Sequence, residues 1–486
     1  MFHGACSLIF ESMWARLFNV GVESAPDSIE RFTDTDRIAF GCPQFNQKKS
    51  MQASAQIAFD DASFSAFLAS RQEPEWLATQ RRQAWQAFGE LDWPNRSHEE
   101  WLRTDIRMFG LQRYGLDSSP PESVELPQPQ LAAGIELGGA TVSLDSSSVK
   151  SQCEARWQER GVLFGDLGKL VSAHPEKIQP HLMRRAFDVN YDRFAALHGA
   201  WWSGGTLLYV PRGVVVDEPF HAFSAITDGG VDLGHTLVIL EEGAEATLLS
   251  ETASLNPTAG GMHCGGVELV VGAGANLRYV NLQDWATGVW HFSHQKAVLG
   301  QDANLQWTIA AMGSRLAKVN QHVGMVGPGA NCQVNGVMFA EGRQHLSYHT
   351  LQHHEVASCH SDFLYKTALQ DRARTVWRGM IKVDPQAQRT DGYQRNDNLL
   401  LSTSARADSI PGLEIEADDV RCTHGSTTGK IDEELIFYAM CRGFSRREAV
   451  RMIVTGFFQK IFDRITIDSV RQALGLAIAR KVREYD

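Results

Sequence analysis

The chain has 486 residues, 43% hydrophobic and 21% charged, with a formal net charge of −11. That length holds an ample core in two or three domains, and the acidic balance argues against general nucleic-acid binding, which needs basic patches to displace counterions. No apolar run approaches the roughly 18 residues needed to span a bilayer, so no membrane association is expected. The eight cysteines, at 6, 42, 153, 264, 332, 359, 422 and 441, are dispersed without a C-x-x-C. Such usage favours reduced thiols in a cytosol-like compartment over a disulfide framework.

Residues 1–50 differ in texture from the rest of the chain. Their short apolar stretch is broken by Glu11 and has no basic segment before it, which makes a poor signal peptide. A coherent pattern begins at Met51, so 1–50 are expected to be a non-native or disordered extension. Over 62–91 the spacing predicts helix, with Pro74 suited to a first turn and Ala84, Trp85 and Phe88 along one face. Residues 97–105 predict a further helix, N-capped by Ser97 with Glu100 closing a capping box. The period is lost over 116–150, a Pro- and Ser-rich linker or extended arm, and returns over 154–194. An N-terminal helical region is placed at 51–202.

Ser203-Gly204-Gly205 breaks the helical pattern, and 203–428 is β-rich. Ala246, Ala275, Ala303 and Ala330 mark a recurring turn motif at intervals of 29, 28 and 27 residues. A nearly fixed period in strands without intervening helices predicts a β-helix or related solenoid. A long β-sandwich is the alternative.

From 429 to 486 the pattern is helical again. The first helix spans 432–442, with acidic residues in its first turn and Gly443 past its end. Ser445 and Glu448 form a capping box for the second, whose stripe carries Ala449, Ile453, Phe457 and Ile461, widened by Val450, Val454 and Phe458. The third follows Thr466. This apolar bundle either packs on the solenoid or presents a groove to a partner.

The densest chemistry lies between Pro411 and Met440. Read as one strand, Leu413, Ile415 and Ala417 face inward, and Glu414, Glu416, Asp418, Cys422 and His424 share the other face if the register survives Asp418-Asp419. A thiol and an imidazole two residues apart are either metal ligands or an ordinary buried thiol and hydrogen-bonded imidazole. Two donors alone cannot complete a tetrahedral site. His345, His349, His353, His354 and His360 with Cys359 form a second donor cluster, suited to a metal or to pH sensing but equally to a polar ladder. Gly425 to Lys430 is one residue short of a phosphate loop, and Ile431 stands where a hydroxyl would be needed, so no nucleotide is expected to bind directly.

RFAALHGAWWSGGTLLYVPRGV (193–214), RTDGYQRNDNLLLS (389–402) and LEIEADDVRCTHGSTTGKIDEELIFYAMCRGF (413–444) resemble the SufB/SufD family of iron–sulfur cluster assembly scaffold proteins. The cluster-bearing SufB pattern has a cysteine about eight residues before the L-E-I tripeptide; here that position is Ala405, and the chain is most like SufD. The resemblance implies a right-handed parallel β-helix flanked by helical regions and a non-catalytic scaffold role in a bacterial cytoplasm. It also implies a heterodimer with a SufB-like paralogue, a SufC-like ABC-type ATPase and contact with sulfur-donor proteins. A transient Fe–S cluster would be shared across the heterodimer, with His424, supported by Cys422, as this chain's contribution. The ATPase would dock on the C-terminal helices around Asp432, Glu433, Phe437, Tyr438, Arg442, Gly443 and Phe457. A SufB-like cluster-bearing subunit is the close alternative. A β-helix enzyme acting on polysaccharide through Glu414, Glu416 and Asp418 is the distant one.

Overall fold

The computed structural model describes residues 56–117 and 125–482, so the expectation for 1–50 lies outside the described residues. The core is a parallel β-helix of about eight turns. Each rung contributes one strand to each of two facing sheets, and successive rungs pair in parallel, as Glu245–Ser254 does with Asn276–Asp284. Inward positions stack into ladders between the sheets. One runs Leu248, Tyr279, Trp307, Val334, Phe363 and Gln394, each 0% exposed. Burial of these ladders is the main stabilising term. Trp157, Val162 and Phe164 belong to the same core and close the lumen at its N-terminal end.

Buried small residues lie where the chain turns into each rung: Ala244, Ala275, Ala303, Ala330 and Cys359 form one ladder through backbone hydrogen bonds. The first repeat position is therefore Ala244 and not Ala246, because the local hydrogen bonds, not the sequence alignment, set the register. The corner preceding Ala275 needs a left-handed residue, met by Gly274 at φ 64°; one rung on, Asp302 takes it at φ 52°.

The N-terminal region carries the helices Asp61–Ser70 and Glu75–Glu90, broken before Glu75 where Pro74 removes a donor. At 97–105 only a single 3-10 turn, Glu99–Trp101, forms, and neither Ser97 nor Glu100 caps it. Asn95 Oδ1 instead accepts from the Ser97 N–H and hydroxyl, an Asx turn that competes with the helix. The strand Gly139–Leu144 pairs with Ser147–Cys153 on one side and with Phe220–Ile226 on the other, so part of the expected linker belongs to a sheet. Turn and strand chemistry there overrode a reading based on helical period alone. The helix Arg193–Trp201 is capped by Asp192 and buried along its length.

Three helices complete the described chain: Glu433–Met440, Arg446–Phe462 and Asp468–Lys481. Ser445 and Glu448 make the reciprocal capping box. Val450, Val454, Phe458 and Ile461 are buried in one cluster with Leu282, Val337, Phe339 and Leu364 of the solenoid. The second helix thus packs on the solenoid, centred on Val454 rather than Ile453. No helix among the described residues is long and apolar enough to cross a membrane.

Candidate functional site at the open rung

The last rung consists of Arg406–Ile415 and Arg421–Lys430, each the terminal strand of its sheet with a neighbour on one side only. Cys422 continues the inward column of Cys332, Ser361 and Gly392. His424 is the last member of the ladder that includes Phe363 and Gln394. On the facing strand, Leu413 and Ile415 continue the inward positions of Ile381 and Val383, both 0% exposed.

Cys422, His424, Leu413 and Ile415 are therefore all on the lumen side, and the expected common face of Glu414, Glu416, Asp418, Cys422 and His424 does not exist. The register does not survive residues 416–420, because that segment is a corner carrying the chain from one sheet to the other. Glu414 points away from the lumen and its carboxylate accepts from Lys382 Nζ at 2.8 Å.

Among the described residues no rung covers these inward side chains. Leu413 is 38% and Ile415 40% exposed, although their counterparts one rung earlier are sealed. His424 is exposed at the rim, while Cys422 is half-buried against Ile381, Val383 and Ala387. Burial pushes the Cys422 thiol up, and the nearby Asp391 carboxylate adds to that. The two donors are thus on one inner wall, and among the described residues no three His, Cys, Asp or Glu side chains are arranged to hold a metal ion. Ala405 is buried at the corner that opens the same rung.

The rung is fixed from below by residues that sequence reading left unassigned within 389–402. Asp397 accepts from Thr427 Oγ1 at 2.7 Å and Arg395 Nε at 2.9 Å, with Lys366 Nζ 3.6 Å away. Burial would raise the Asp397 carboxyl, but Thr427, Arg395 and Lys366 outweigh it and hold it below its ordinary value. Gln394 donates to the Gly412 carbonyl across the lumen at 2.9 Å, tying the sheets together below His424. The unbroken polar run at 394–398 was the available signal.

The other sequence candidates fall in two places. Asp432 N-caps the helix Glu433–Met440 through the Glu434 N–H. Glu433 pairs with Arg446 at 2.9 Å, and Arg442 donates to the Tyr438 hydroxyl at 2.7 Å. Gly443 ends this element at φ 92°. Leu435, Phe437, Tyr438 and Met440 are exposed, Phe437 at 68%. Phe457 stands apart from that patch, packed toward the solenoid with Lys366 Nζ 4.4 Å from its ring centroid.

The histidines of 345–360 do not converge. His345, His349 and His353 lie on the outer side of one strand, whereas His354 turns inward and bonds Ser361 at 2.9 Å. His353 meets Asp384 at 2.9 Å, and the Cys359 thiol reaches the Gly327 carbonyl at 3.4 Å. Gly425 to Lys430 lies within a strand, not at a strand-to-helix turn.

Comparison with known proteins finds two matched regions. Residues 63–221 match the SufBD protein N-terminal region, and 223–457 match the SufBD core domain of SUF system FeS cluster assembly. An iron–sulfur cluster assembly SufBD family protein of Mycobacterium leprae is 34% identical over 300 residues, 60% of this chain and 75% of that protein. A Mycobacterium tuberculosis protein of the same description is 35% identical over 300 residues, 60% of this chain and 74% of its own length. The iron–sulfur cluster assembly protein SufD of Bacillus subtilis is 24% identical over 440 residues, 89% of this chain and 100% of that protein.

Proposed function

This chain belongs to the SufBD family of iron–sulfur cluster assembly proteins, and we propose that within it the chain is the SufD-like, non-catalytic scaffold subunit, working in a bacterial cytoplasm. The observation that carries this reading is the open rung. It presents two unpaired strand edges, two uncovered apolar residues and a thiol–imidazole pair on one inner wall. Edges and apolar surface of this kind invite pairing with another chain. A SufB-like paralogue docked there would cover Leu413 and Ile415. It would also supply the donors that a nascent Fe–S cluster, the assembly's cargo, needs beyond His424 and Cys422. Ala405, where the cluster-bearing pattern has cysteine, supports placing the remaining ligand in the partner.

The exposed face of the helix Glu433–Met440 is the docking end for a SufC-like ATPase. Its aromatic and aliphatic side chains, rimmed by Glu433 and Arg442, have the composition of an interface centre. Nucleotide-driven movement of that ATPase would reach the open rung through Ile431, which joins the last strand to this helix and is itself buried.

The test is co-expression of the chain with a SufB-like paralogue and a SufC-like ATPase. A stable complex of all three supports the reading; a chain that purifies alone, with partners that assemble without it, refutes it.

A further inference from the structure

Beneath the N-terminal covering segment lies a file of buried hydrogen bonds far from the open rung. The helix Arg193–Trp201 lays His198 against the outer face of one sheet, where His235 and Glu268 stand on adjacent strands. His198 Nδ1 is 2.8 Å from the Cys264 carbonyl oxygen, and His198 Nε2 is 2.9 Å from His235 Nδ1. His235 Nε2 is in turn 2.9 Å from Glu268 Oε1. None of the three side chains is more than 1% exposed.

The polarity of the file is set by its ends. A carbonyl only accepts, so His198 carries its proton on Nδ1 and offers a lone pair at Nε2. His235 must then donate from Nδ1, which leaves Nε2 bare in the neutral ring and requires a proton from Glu268. Three gaps hold three protons. If one is lost, two lone pairs face each other in a dry site. Moving the Glu268 proton onto His235 keeps the count.

The surroundings favour the neutral form. Burial pushes Glu268 up to about 8, against the Met183 N–H that donates to it at 2.8 Å and the positive fields of His181 and Lys296. Burial and the Arg81 charge push His235 down to about 3. His198 is lowered by burial and by His235, with smaller contributions from His263 and His294.

We propose that this file is a proton lock, clamping residues 183–201 to the solenoid only while the Glu268 carboxyl keeps its proton. It holds two covering elements at once: the helix through His198, and the turn at Met183 through the carboxyl. Local opening exposes a carboxyl that ionises near 4.5 and imidazoles that ionise near 6.5. The raised carboxyl contributes stability that is complete below 4.5 and is lost by about 8. The lowered imidazole contributes stability that is present above 6.5 and is lost as pH falls through about 3. Between pH 6.5 and about 8, opening therefore releases one proton, and its equilibrium constant rises about tenfold per pH unit before levelling.

Trypsin cleavage of the full-length chain at Arg184 and Arg185, both exposed next to Met183, reads this opening. Rates are divided by those on an unstructured arginine peptide to remove the protease's own pH dependence. The wild-type rate should climb about tenfold per unit to about pH 8 and then flatten. Glu268→Gln can place an N–H against His235 but cannot then accept from Met183, which meets the same oxygen; carrying no ionisable proton, it should give a rate that does not change with pH between 6.5 and 8. A flat wild-type profile, or a Glu268→Gln profile with the wild-type slope, overturns the lock. Should that variant fail to fold, infrared spectroscopy of the wild type decides. A protonated-carboxyl band present at pH 6.5 and lost near pH 8 supports the lock, and its absence at pH 6.5 overturns it.

Discussion

Ser426 Oγ, on the last strand of one sheet, lies 2.8 Å from Ser409 Oγ, on the last strand of the other. This contact crosses the lumen at its open end. It shows that the two terminal strands face one another and that neither has turned outward. Cys422 and His424 share the inward side with Ser426, so the thiol–imidazole pair belongs to the mouth of the solenoid and not to its flank.

The first prediction concerns the uncovered apolar pair. Leu413→Lys combined with Ile415→Lys alters side chains already 38% and 40% exposed, so the melting temperature of the isolated chain should change little. Affinity for a SufB-like partner should fall by about 10- to 100-fold, as loss of a buried apolar anchor does. Titration calorimetry with the purified partner measures it, and unchanged affinity would place the interface elsewhere.

The second separates docking from folding on one helix. Phe437 is 68% exposed and Ile436, its neighbour, 0%. Phe437→Ala should leave stability within about 0.5 kcal/mol and weaken SufC-like ATPase binding about tenfold or more. Ile436→Ala should cost about 2–5 kcal/mol, visible in urea unfolding.

A third tests the floor of the rung. A Cβ on Gly379 would sit 2.3 Å from both Gln394 Oε1 and the Trp377 ring. Gly379→Ala should therefore destabilise the chain by about 1–3 kcal/mol through overpacking. Full stability in that variant would contradict the inward placement of Gln394, and with it that of His424.

Thiol chemistry gives the fourth. Cys441 is exposed, Cys422 is half-buried with its thiol pushed up, and Cys264 is buried. Alkylation and mass spectrometry should find Cys441 modified first, Cys422 more slowly and increasingly as pH rises, and Cys264 last, since the thiolate is the reactive form. Partner binding should protect Cys422.

Several of these elements were legible in the sequence. The capping box at Ser445 is a local signal, set by residues three positions apart, and the solenoid repeat is a periodic one, set by recurrence over 27 to 29 residues; both stand in the structure. The face shared by Cys422 and His424 was not legible. A period of two predicts sides only within one strand, and the corner at 416–420 changes sheets without breaking the run of polar residues. Ser97 failed as a cap because Asn95 offered its backbone a closer acceptor. The file through His198, His235 and Glu268 could not be read at all, since its members meet only where a helix packs on two adjacent rungs.

The most direct test is His424→Ala in the complex with a SufB-like partner and a SufC-like ATPase, reconstituted anaerobically with iron and sulfide and monitored by absorption. His424 is exposed at the rim and supports no core packing, so the complex should assemble normally while the cluster band is lost. A mutant complex that assembles and yields the wild-type cluster would contradict the assignment of the open rung as half of a shared site.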